Sequence, residues 1–231
     1  MLDASKIRAI SLDLDDTLWP VWPTIARAEI QMQDYLRPLA PATATLMADP
    51  KARAQLRDAV VSAQPGSAHD MSALRLGMIE KALLHCGEPA AMAQEAFAVF
   101  YAARQQVDMY PDSAAALARL AARFPLLALT NGNADVHRVG IGHFFVGSVG
   151  AHTVGLPKPH KVIFDAAASA LGVRHEEVLH VGDDALLDVL AALDAGMQSV
   201  WVNRSGLAWQ HERSPHLEVS SLDALCVVLG V

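Results

Sequence analysis

Three aspartates fall within four positions near the N-terminus and are the first candidates for chemistry in this chain. They are Asp13, Asp15 and Asp16, and they follow the mostly apolar residues 7–12, a run short enough for one buried strand. If the strand conformation continues, Asp13 and Asp15 point to the same side, because alternate residues of a strand share a face. Neighbouring carboxylates repel each other, and their burial is costly unless a cation or a proton offsets the charge. The pattern indicates either a metal site at the end of a strand or an ordinary polar turn.

Polar side chains also come at the ends of later apolar runs or in the loops that follow them. They are Thr130, Asn131, Lys158, Asp183, Asp184 and Asp188. In an open parallel sheet, ligands bind at the carboxyl ends of the strands, so we expect these side chains to meet Asp13 and Asp15 there. Several carboxylates together suit an oxygen-preferring ion such as Mg²⁺, whereas a hydroxyl, an ammonium and helix-start amides suit a phosphate. A site that offers both kinds of partner predicts phosphoryl transfer.

The elements that must position these residues alternate in type from residue 110 onward. Apolar runs that predict strands lie at residues 7–12, 126–130, 144–149, 178–181, 199–202 and 217–219. Helices are predicted at residues 113–123, 160–171 and 186–195, with a short one after residue 133 and a last one from residue 221. Strands that alternate with helices imply a parallel sheet covered on both faces. The predicted fold class is α/β, with a Rossmann-like parallel sheet as its core.

The region between residues 20 and 109 differs, because it is rich in helix-forming residues and contains no convincing strand. Helices are predicted at residues 24–37, 50–64, 70–86 and 89–106, with Thr24 as a partial cap of the first. Helices joined by short connections suggest a small bundle. The predicted domains are therefore an α/β core of residues 1–19 and 110–231 and an inserted helical-bundle cap of residues 20–109.

Composition narrows the classes of function. The chain has 231 residues, of which 52% are hydrophobic, so a sizeable core can form. A net charge of −7 argues against a nucleic-acid binder held by a broad basic face. No apolar run has the length of a membrane span and no signal-peptide pattern begins the chain, so a cytoplasmic protein without a membrane partner is expected. Cys86 and Cys226 are expected to be buried free thiols.

Four stretches, taken in order, resemble the motifs of the haloacid dehalogenase-like hydrolases. They are the acidic run of residues 13–17, the strand that ends in Thr130, the later Lys158, and residues 182–188. The resemblance covers the whole chain, and the insertion between the first and second motifs resembles the helical cap of one subgroup. It implies a Mg²⁺-dependent phosphatase that acts on a small-molecule phosphate ester through an aspartyl-phosphate intermediate.

The resemblance also implies a role for each motif residue. Asp13 would be the nucleophile, and Asp15 would protonate the leaving oxygen and then take a proton from the attacking water. The metal ligands would be Asp13, the backbone carbonyl of Asp15, Asp183 and Asp188, the last supporting either the metal or Lys158. The groups that bind the substrate phosphate would be Thr130, Asn131 and Lys158.

Within the family, residues 129–134, 178–184 and 215–219 resemble phosphatases of the flavin pathway. This resemblance implies 5-amino-6-(5-phospho-D-ribitylamino)uracil or flavin mononucleotide as the substrate. A broad-specificity sugar-phosphate or nucleotide phosphatase, a 2-haloacid dehalogenase and a non-catalytic binding protein are the alternatives. Dehalogenation needs neither Mg²⁺ nor an acid such as Asp15, because halide leaves unprotonated, so the intact acidic motifs favour the phosphatase.

Five residues are candidates for substrate specificity. Trp19 and Trp22 follow the first motif and either line the opening of the site, where an aromatic ring can stack on a flavin or a uracil, or pack in the core. His69, Asp70 and Arg75 begin a predicted helix of the cap and are candidates for substrate contact. The competing interpretation of Asp70 is that its carboxylate caps that helix.

Two further acidic residues have a structural interpretation beside the chemical one. Asp16 is predicted to be a turn residue that follows the catalytic pair. Asp184 is predicted either to cap the start of a helix or to contact the metal. The histidines have no ligand spacing, so a histidine zinc site is not expected.

Overall fold

The structure is a computed structural model that describes all 231 residues. It contains two compact units: the core unit, residues 1–20 with 108–231, and the helical insertion, residues 21–107. The predicted fold class is confirmed, because the core unit is built on a parallel sheet with helices and the insertion is helical. No helix combines the length and the apolar character that crossing a membrane requires.

Six parallel strands form the sheet of the core unit. They are β1 Ala9–Leu12, β2 Leu126–Thr130, β3 Gly147–Gly150, β4 Val178–Gly182, β5 Gln198–Val202 and β6 Leu217–Val219. Their spatial order is β3-β2-β1-β4-β5-β6, and each neighbouring pair is parallel. The order reverses between β1 and β4, which opens a crevice at the carboxyl ends of these strands. β1, β2, β4 and β5 are buried along their whole length, as their largely apolar sequences require.

The helical insertion contains its own apolar core. Its helices are α1 Val21–Leu36, α2 Pro41–Ala48, α3 Pro50–Ala63, α4 Met71–His85 and α5 Ala93–Arg104. Prolines begin α2 and α3, where the missing N–H would have no intrahelical partner in any case. Met32 and Leu36 of α1 share a buried cluster with Ile79 of α4 and Phe100 of α5. These helices therefore pack by apolar contacts that are independent of the sheet.

The helices of the core unit cover the sheet. They are α6 Ser113–Ala121, α7 Val136–Val139, α8 Ala151–Val154, α9 Lys161–Leu171, a π-helical turn Ala185–Leu190, α10 Ala191–Asp194 and α11 Leu222–Leu229. A buried cluster joins Leu127 and Leu129 of β2 to Ile163 and Phe164 of α9. Cys226 is buried and Cys86 half-buried, and both thiols are free.

Three local predictions were wrong. The segment Pro41–Ala48 forms a helix that was not predicted, although a proline at the first position is a helix-start signal. Thr24 does not cap α1, because the helix begins three residues earlier, at Val21, and Thr24 is buried within it. β3 begins at Gly147 rather than at residue 144, because Gly142–Phe144 form a 3₁₀ turn.

Candidate active site

Asp13 and Asp15 lie directly beyond β1, beside the point where the strand order reverses. The Asp13 N–H donates to the carbonyl of Val181 in β4 at 2.9 Å, so strand pairing continues through this residue. The Asp13 side chain is buried and Asp15 is half-buried. Asp16 adopts the left-handed conformation, with φ 58°, which turns the chain away from the sheet. The structure therefore confirms the turn predicted at Asp16.

Lys158 joins two of the predicted site residues through its side chain. Its Nζ donates to Asp13 Oδ1 and to Asp188 Oδ1, each at 2.6 Å. Lys158 is 4% exposed, so these bonds form almost out of contact with water. Charge-assisted hydrogen bonds of this length are strong, and here they fix the ammonium against the end of β1.

Asn131 positions the backbone of Lys158 from the end of β2. Its Oδ1 accepts from the Lys158 N–H at 2.7 Å, and its Nδ2 donates to the Lys158 carbonyl at 3.0 Å. Thr130 is buried beside it, and its hydroxyl oxygen accepts from the N–H of Gly132 at 2.9 Å. The Thr130 hydroxyl proton remains available to donate to a ligand.

A buried polar chain runs behind Lys158. Asp188 Oδ1, which accepts from Lys158, also lies 3.1 Å from His180 Nε2, and His180 Nδ1 lies 2.8 Å from Ser11 Oγ. Asp188 Oδ2 accepts from the Asp184 N–H at 3.0 Å. Burial lowers the pKa of His180, although the Asp188 carboxylate opposes the change, and both ring nitrogens lie within hydrogen-bond distance of these partners. Both Asp188 oxygens are engaged in this way, which suits a residue that orients Lys158.

Asp183 stands at the end of β4 and is held from two sides. Its Oδ1 accepts from the Thr17 hydroxyl at 3.0 Å, and its backbone carbonyl accepts from Trp201 Nε1 at 2.7 Å. The neighbouring residue must be glycine, because a Cβ added at Gly182 would lie 2.3 Å from Asp188 Cγ. Glycine at position 182 thus leaves room for the Asp188 side chain against the end of β4.

Burial and neighbouring charges set the ionisation of these side chains. Burial raises the pKa of Asp13 well above its ordinary value, although the Lys158 ammonium opposes the change. Burial also raises the pKa of Asp183, to about 7, and the nearby Asp188 carboxylate adds to the rise. For Asp188 itself burial disfavours ionisation, but Lys158 and His180 outweigh it and hold its pKa below the ordinary value. Likewise, burial disfavours the charged form of Lys158, but Asp13 and Asp188 outweigh it and raise its pKa above the ordinary value.

The residues present fit a small hard cation. Asp13, Asp183 and Asp188 each offer a carboxylate oxygen, and these three atoms lie within 4.8 Å of one another. All the donors are oxygens, which is the chemistry that Mg²⁺ prefers. One ammonium neutralises only part of this negative charge, so added positive charge would favour the ionised forms of Asp13 and Asp183.

Trp19 was predicted either to line the opening of the site or to pack in the core, and the structure shows the second arrangement. Its side chain is fully buried, and its Nε1 donates to Asp15 Oδ1 at 2.8 Å. Trp22, by contrast, is 74% exposed on α1.

The specificity candidates on α4 have partners within the helical insertion. Asp70 accepts from the N–H groups of Ser72 and Ala73 at 2.9 and 3.0 Å, so it caps α4. Arg75 donates to Glu29 at 3.0 Å and lies 4.4 Å from the centre of the Phe100 ring. The contacts of Asp70 and Arg75 stabilise the helical insertion, and His69 is half-buried just before α4.

Three positioning residues were missed from the sequence. Ser11 and His180 are polar residues inside otherwise apolar strands, a signal that could have drawn attention to them. They are paired across β1 and β4 in the sheet register. The third is Trp201, which no local pattern distinguishes, because its role depends on the pairing of β4 with β5.

Asp184 was predicted either to cap a helix or to contact the metal. Its Oδ1 accepts from the N–H groups at the start of the π-helical turn, which confirms the capping role.

A comparison with known families identifies the class of protein that this fold and site define. The model of the haloacid dehalogenase-like hydrolases matches residues 7–196, and the chain belongs to this family. Its curated relatives place it among the phosphoric monoester hydrolases of the family.

Among these relatives is the 5-amino-6-(5-phospho-D-ribitylamino)uracil phosphatase YigB of Escherichia coli K12, which is 35% identical over 228 residues and 95% of each chain. A phosphoserine phosphatase of Thermus thermophilus is 35% identical over 151 residues, covering 63% of this chain and 61% of the relative. The crystal structure of a protein named 2-haloacid dehalogenase, from Pseudomonas syringae pv. Tomato DC3000, superimposes with a TM-score of 0.91. That protein is 34% identical, and the match covers 97% of this chain and 98% of the other.

Proposed function

We propose that this protein is a Mg²⁺-dependent phosphatase of a small phosphorylated metabolite, with Asp13 as its nucleophile. The observation that carries the proposal is the buried Lys158 ammonium held between Asp13 and Asp188. Asp183 offers a further carboxylate oxygen within 4.8 Å of those of the same two aspartates. This arrangement combines a nucleophilic carboxylate, a cation that can pair with phosphate oxygens, and acidic oxygens suited to a metal.

The first step transfers the phosphoryl group to Asp13. A carboxylate oxygen of Asp13 attacks phosphorus while the bond between phosphorus and the ester oxygen breaks. Asp15, in its protonated form, gives its proton to the leaving oxygen, so an alcohol departs and Asp15 becomes a carboxylate. Lys158 and the Thr130 hydroxyl donate to the phosphate oxygens, and Asn131 keeps Lys158 in place.

The second step returns both aspartates to their starting states. The Asp15 carboxylate takes a proton from water, and the resulting hydroxide attacks the phosphorus of the aspartyl phosphate. The bond between phosphorus and Asp13 oxygen breaks, which releases inorganic phosphate and regenerates the Asp13 carboxylate. A single group thus serves as acid and then as base.

Asp13, the Asp15 backbone carbonyl and Asp183 would hold Mg²⁺, while Asp188 would keep Lys158 in place. A bound Mg²⁺ supplies positive charge that lets the anionic phosphate approach a carboxylate. The raised pKa values of Asp13 and Asp183 support this assignment, because burial disfavours their ionised forms and a bound cation would stabilise those forms.

The proposed substrate is 5-amino-6-(5-phospho-D-ribitylamino)uracil, with flavin mononucleotide as a second substrate. The support is the similarity to YigB, which extends over 95% of both chains and therefore includes the helical insertion. In this proposal the insertion acts as the cap that selects the substrate. Trp22 is the candidate for stacking on a uracil or flavin ring, because its indole is exposed and apolar.

A 2-haloacid dehalogenase is the second candidate, because the structure from Pseudomonas syringae carries that name. The two activities make different demands on the site. A halide leaves without a proton, so dehalogenation gives no role to the Asp15 carboxyl group, and it gives none to a metal held by Asp183. Both residues are present here, and Thr17, Trp19 and Trp201 hold them in place.

Phosphate release by the purified protein tests the proposal. We expect p-nitrophenyl phosphate to be hydrolysed with Mg²⁺, activity to be lost in EDTA, and activity to return when Mg²⁺ is added in excess. A panel with the ribitylaminouracil phosphate, flavin mononucleotide, sugar phosphates and nucleotides then ranks substrates by kcat/KM. Equal or better rates on sugar phosphates would remove the flavin-pathway substrate. Halide release from 2-haloacids without phosphate release would replace the phosphatase by the dehalogenase.

A further inference from the structure

The turn that follows Asp15 brings an indole N–H onto the proposed proton donor. Trp19 Nε1 donates to Asp15 Oδ1 at 2.8 Å, and the two residues also form a short backbone bridge. Asp15 is half-buried, whereas Trp19 is buried with none of its surface exposed. The carboxyl group can therefore reach a ligand, while its indole partner cannot.

The backbone holds the indole firmly in this position. The Asp16 N–H donates to the Trp19 carbonyl at 2.7 Å, and the Leu18 N–H donates to the Leu14 carbonyl at 2.8 Å. The Leu18 carbonyl in turn accepts from the Ser113 hydroxyl at 2.9 Å. These bonds close the turn and tie it to the start of α6, so Trp19 has little freedom to leave Asp15.

A second anchor holds the same turn through Arg204, which follows β5. Arg204 Nη2 donates to the Thr17 carbonyl at 2.9 Å, and Nη1 donates to Asp112 at 3.0 Å. The guanidinium lies 4.0 Å from the centre of the Tyr110 ring. The turn is therefore fixed at two places by residues outside the catalytic motifs.

An indole N–H can only donate a hydrogen bond, and this property has a consequence for Asp15. In a protonated carboxyl group the carbonyl oxygen is the better acceptor, so the hydrogen bond from Trp19 favours Oδ1 of Asp15 as the carbonyl oxygen and Oδ2 as the oxygen that carries the proton. The geometry thus distinguishes the two carboxyl oxygens of Asp15.

We propose that Trp19 is a positioning residue for proton transfer: it fixes the Asp15 carboxyl group so that Oδ2 presents its proton to the leaving oxygen of the substrate. The proposal rests on the role of Asp15 in the proposed function. In the transfer, the proton on Asp15 Oδ2 passes to the ester oxygen as its bond to phosphorus breaks, and Asp15 is left as a carboxylate. Trp19 contacts neither the substrate nor the metal in this scheme.

The test exploits the dependence of proton donation on the leaving group. An alkyl phosphate needs a proton on its leaving oxygen, whereas p-nitrophenol departs readily as the phenolate. Trp19→Phe keeps an aromatic ring and removes the N–H. We expect kcat/KM for an alkyl phosphate to fall on the order of 10-fold or more, with a much smaller change for p-nitrophenyl phosphate. An equal fall for both substrates would show a merely structural role and overturn the proposal, as would no fall for either.

A matched pair of indole analogues guards against misfolding of Trp19→Phe. Site-specific replacement of Trp19 by benzothienylalanine retains the bicyclic shape but has sulfur in place of the N–H, whereas fluorotryptophan retains the N–H. The proposal requires the selective loss with the first analogue and near wild-type selectivity with the second. Trp209→Phe is the control for the loss of an indole elsewhere, because Trp209 Nε1 donates to the carbonyl of Arg213.

The experiment separates this inference from the proposed function. Wild-type protein that hydrolyses neither substrate would remove the proposed function, and the role of Trp19 with it. Wild-type protein that hydrolyses both, with analogues that behave alike, would remove only the role of Trp19.

Discussion

Charged side chains cluster in both units of the molecule, but the two clusters differ in net charge and in exposure. In the core unit, the carboxylates of Asp13, Asp183 and Asp188 lie together, one ammonium pairs with Asp13 and Asp188, and the side chains of these two aspartates and Lys158 are 1–10% exposed. In the helical insertion, the Glu29 carboxylate meets two guanidiniums, and the side chains of that cluster are 15–21% exposed. The first cluster keeps an excess of negative charge away from water, whereas solvent screens the second.

The difference shows how a functional charge cluster can be distinguished from a structural one, by whether its buried charges are compensated. Arg53 and Arg75 connect α3 and α4 to Glu29 of α1, so their bonds close contacts between helices. Lys158 also makes two ion pairs, yet the acids around it remain in excess. Uncompensated charge is costly to bury, so its presence favours a ligand of opposite charge.

The largest effect is expected for Asp13→Asn in the core unit. The amide cannot form an acyl phosphate, so kcat should fall on the order of 10⁴-fold or more, as for other nucleophile substitutions. The thermal midpoint should not decrease, because Lys158 keeps Asp188 as its partner and a costly buried charge is removed. Phosphate release and a melting curve check both statements.

The control is Asp16→Asn, since asparagine tolerates the positive φ of that position. Retained turnover in Asp13→Asn would contradict the proposed nucleophile.

Lys158→Met should reduce both turnover and stability. It leaves Asp13 and Asp188 buried without their shared cation, and breaking a buried pair in this way costs roughly 3–5 kcal/mol. Turnover should fall about 10²–10³-fold through the loss of a phosphate partner. Urea unfolding and kcat measure the two effects.

Lys161→Met is the matched control for that substitution. Lys161 lies on the surface and pairs with Asp165 four residues later, so its removal should change stability by less than about 1 kcal/mol. A similar loss of stability in both variants would show that the buried ion pairs of Lys158 contribute no more to stability than an exposed ion pair does.

Glu29→Gln tests the cluster of the helical insertion. It removes the counter-charge of Arg53 and Arg75 while preserving volume, and the expected loss of stability is about 1–3 kcal/mol. Hydrolysis of p-nitrophenyl phosphate by the folded variant should be unchanged. A fall in the turnover of Glu29→Gln without any loss of stability would contradict the structural role assigned to this cluster.

Asp70→Ala gives the smallest expected effect. It removes the side chain that accepts from Ser72 and Ala73, and the loss of a helix N-cap costs about 1 kcal/mol. Asp70→Asn or Asp70→Ser should restore most of that stability, because both can cap a helix. If these conservative variants restored stability but lowered kcat/KM for the physiological substrate alone, Asp70 would also contact the substrate.

The sequence by itself determined the alternation of strands and helices along the core unit, the helical character of the insertion and the candidate acids. These features depend on local pattern: apolar runs, helix-forming composition, and carboxylates at a fixed spacing after a strand. Local pattern predicted the boundaries of helices and strands less accurately, as at Thr24 and at the start of β3, because capping and 3₁₀ turns depend on a few backbone angles.

Only the tertiary structure decided which polar groups meet. Lys158 is 145 positions from Asp13 in sequence, and Ser11 is 169 positions from His180. Such pairs require the register of β1 against β4 and the path of the intervening chain, neither of which a local pattern specifies. Trp19 makes the same point at short range: the DLDDTLW sequence predicts the acids, but the turn that aims the indole N–H at Asp15 is a property of the folded backbone.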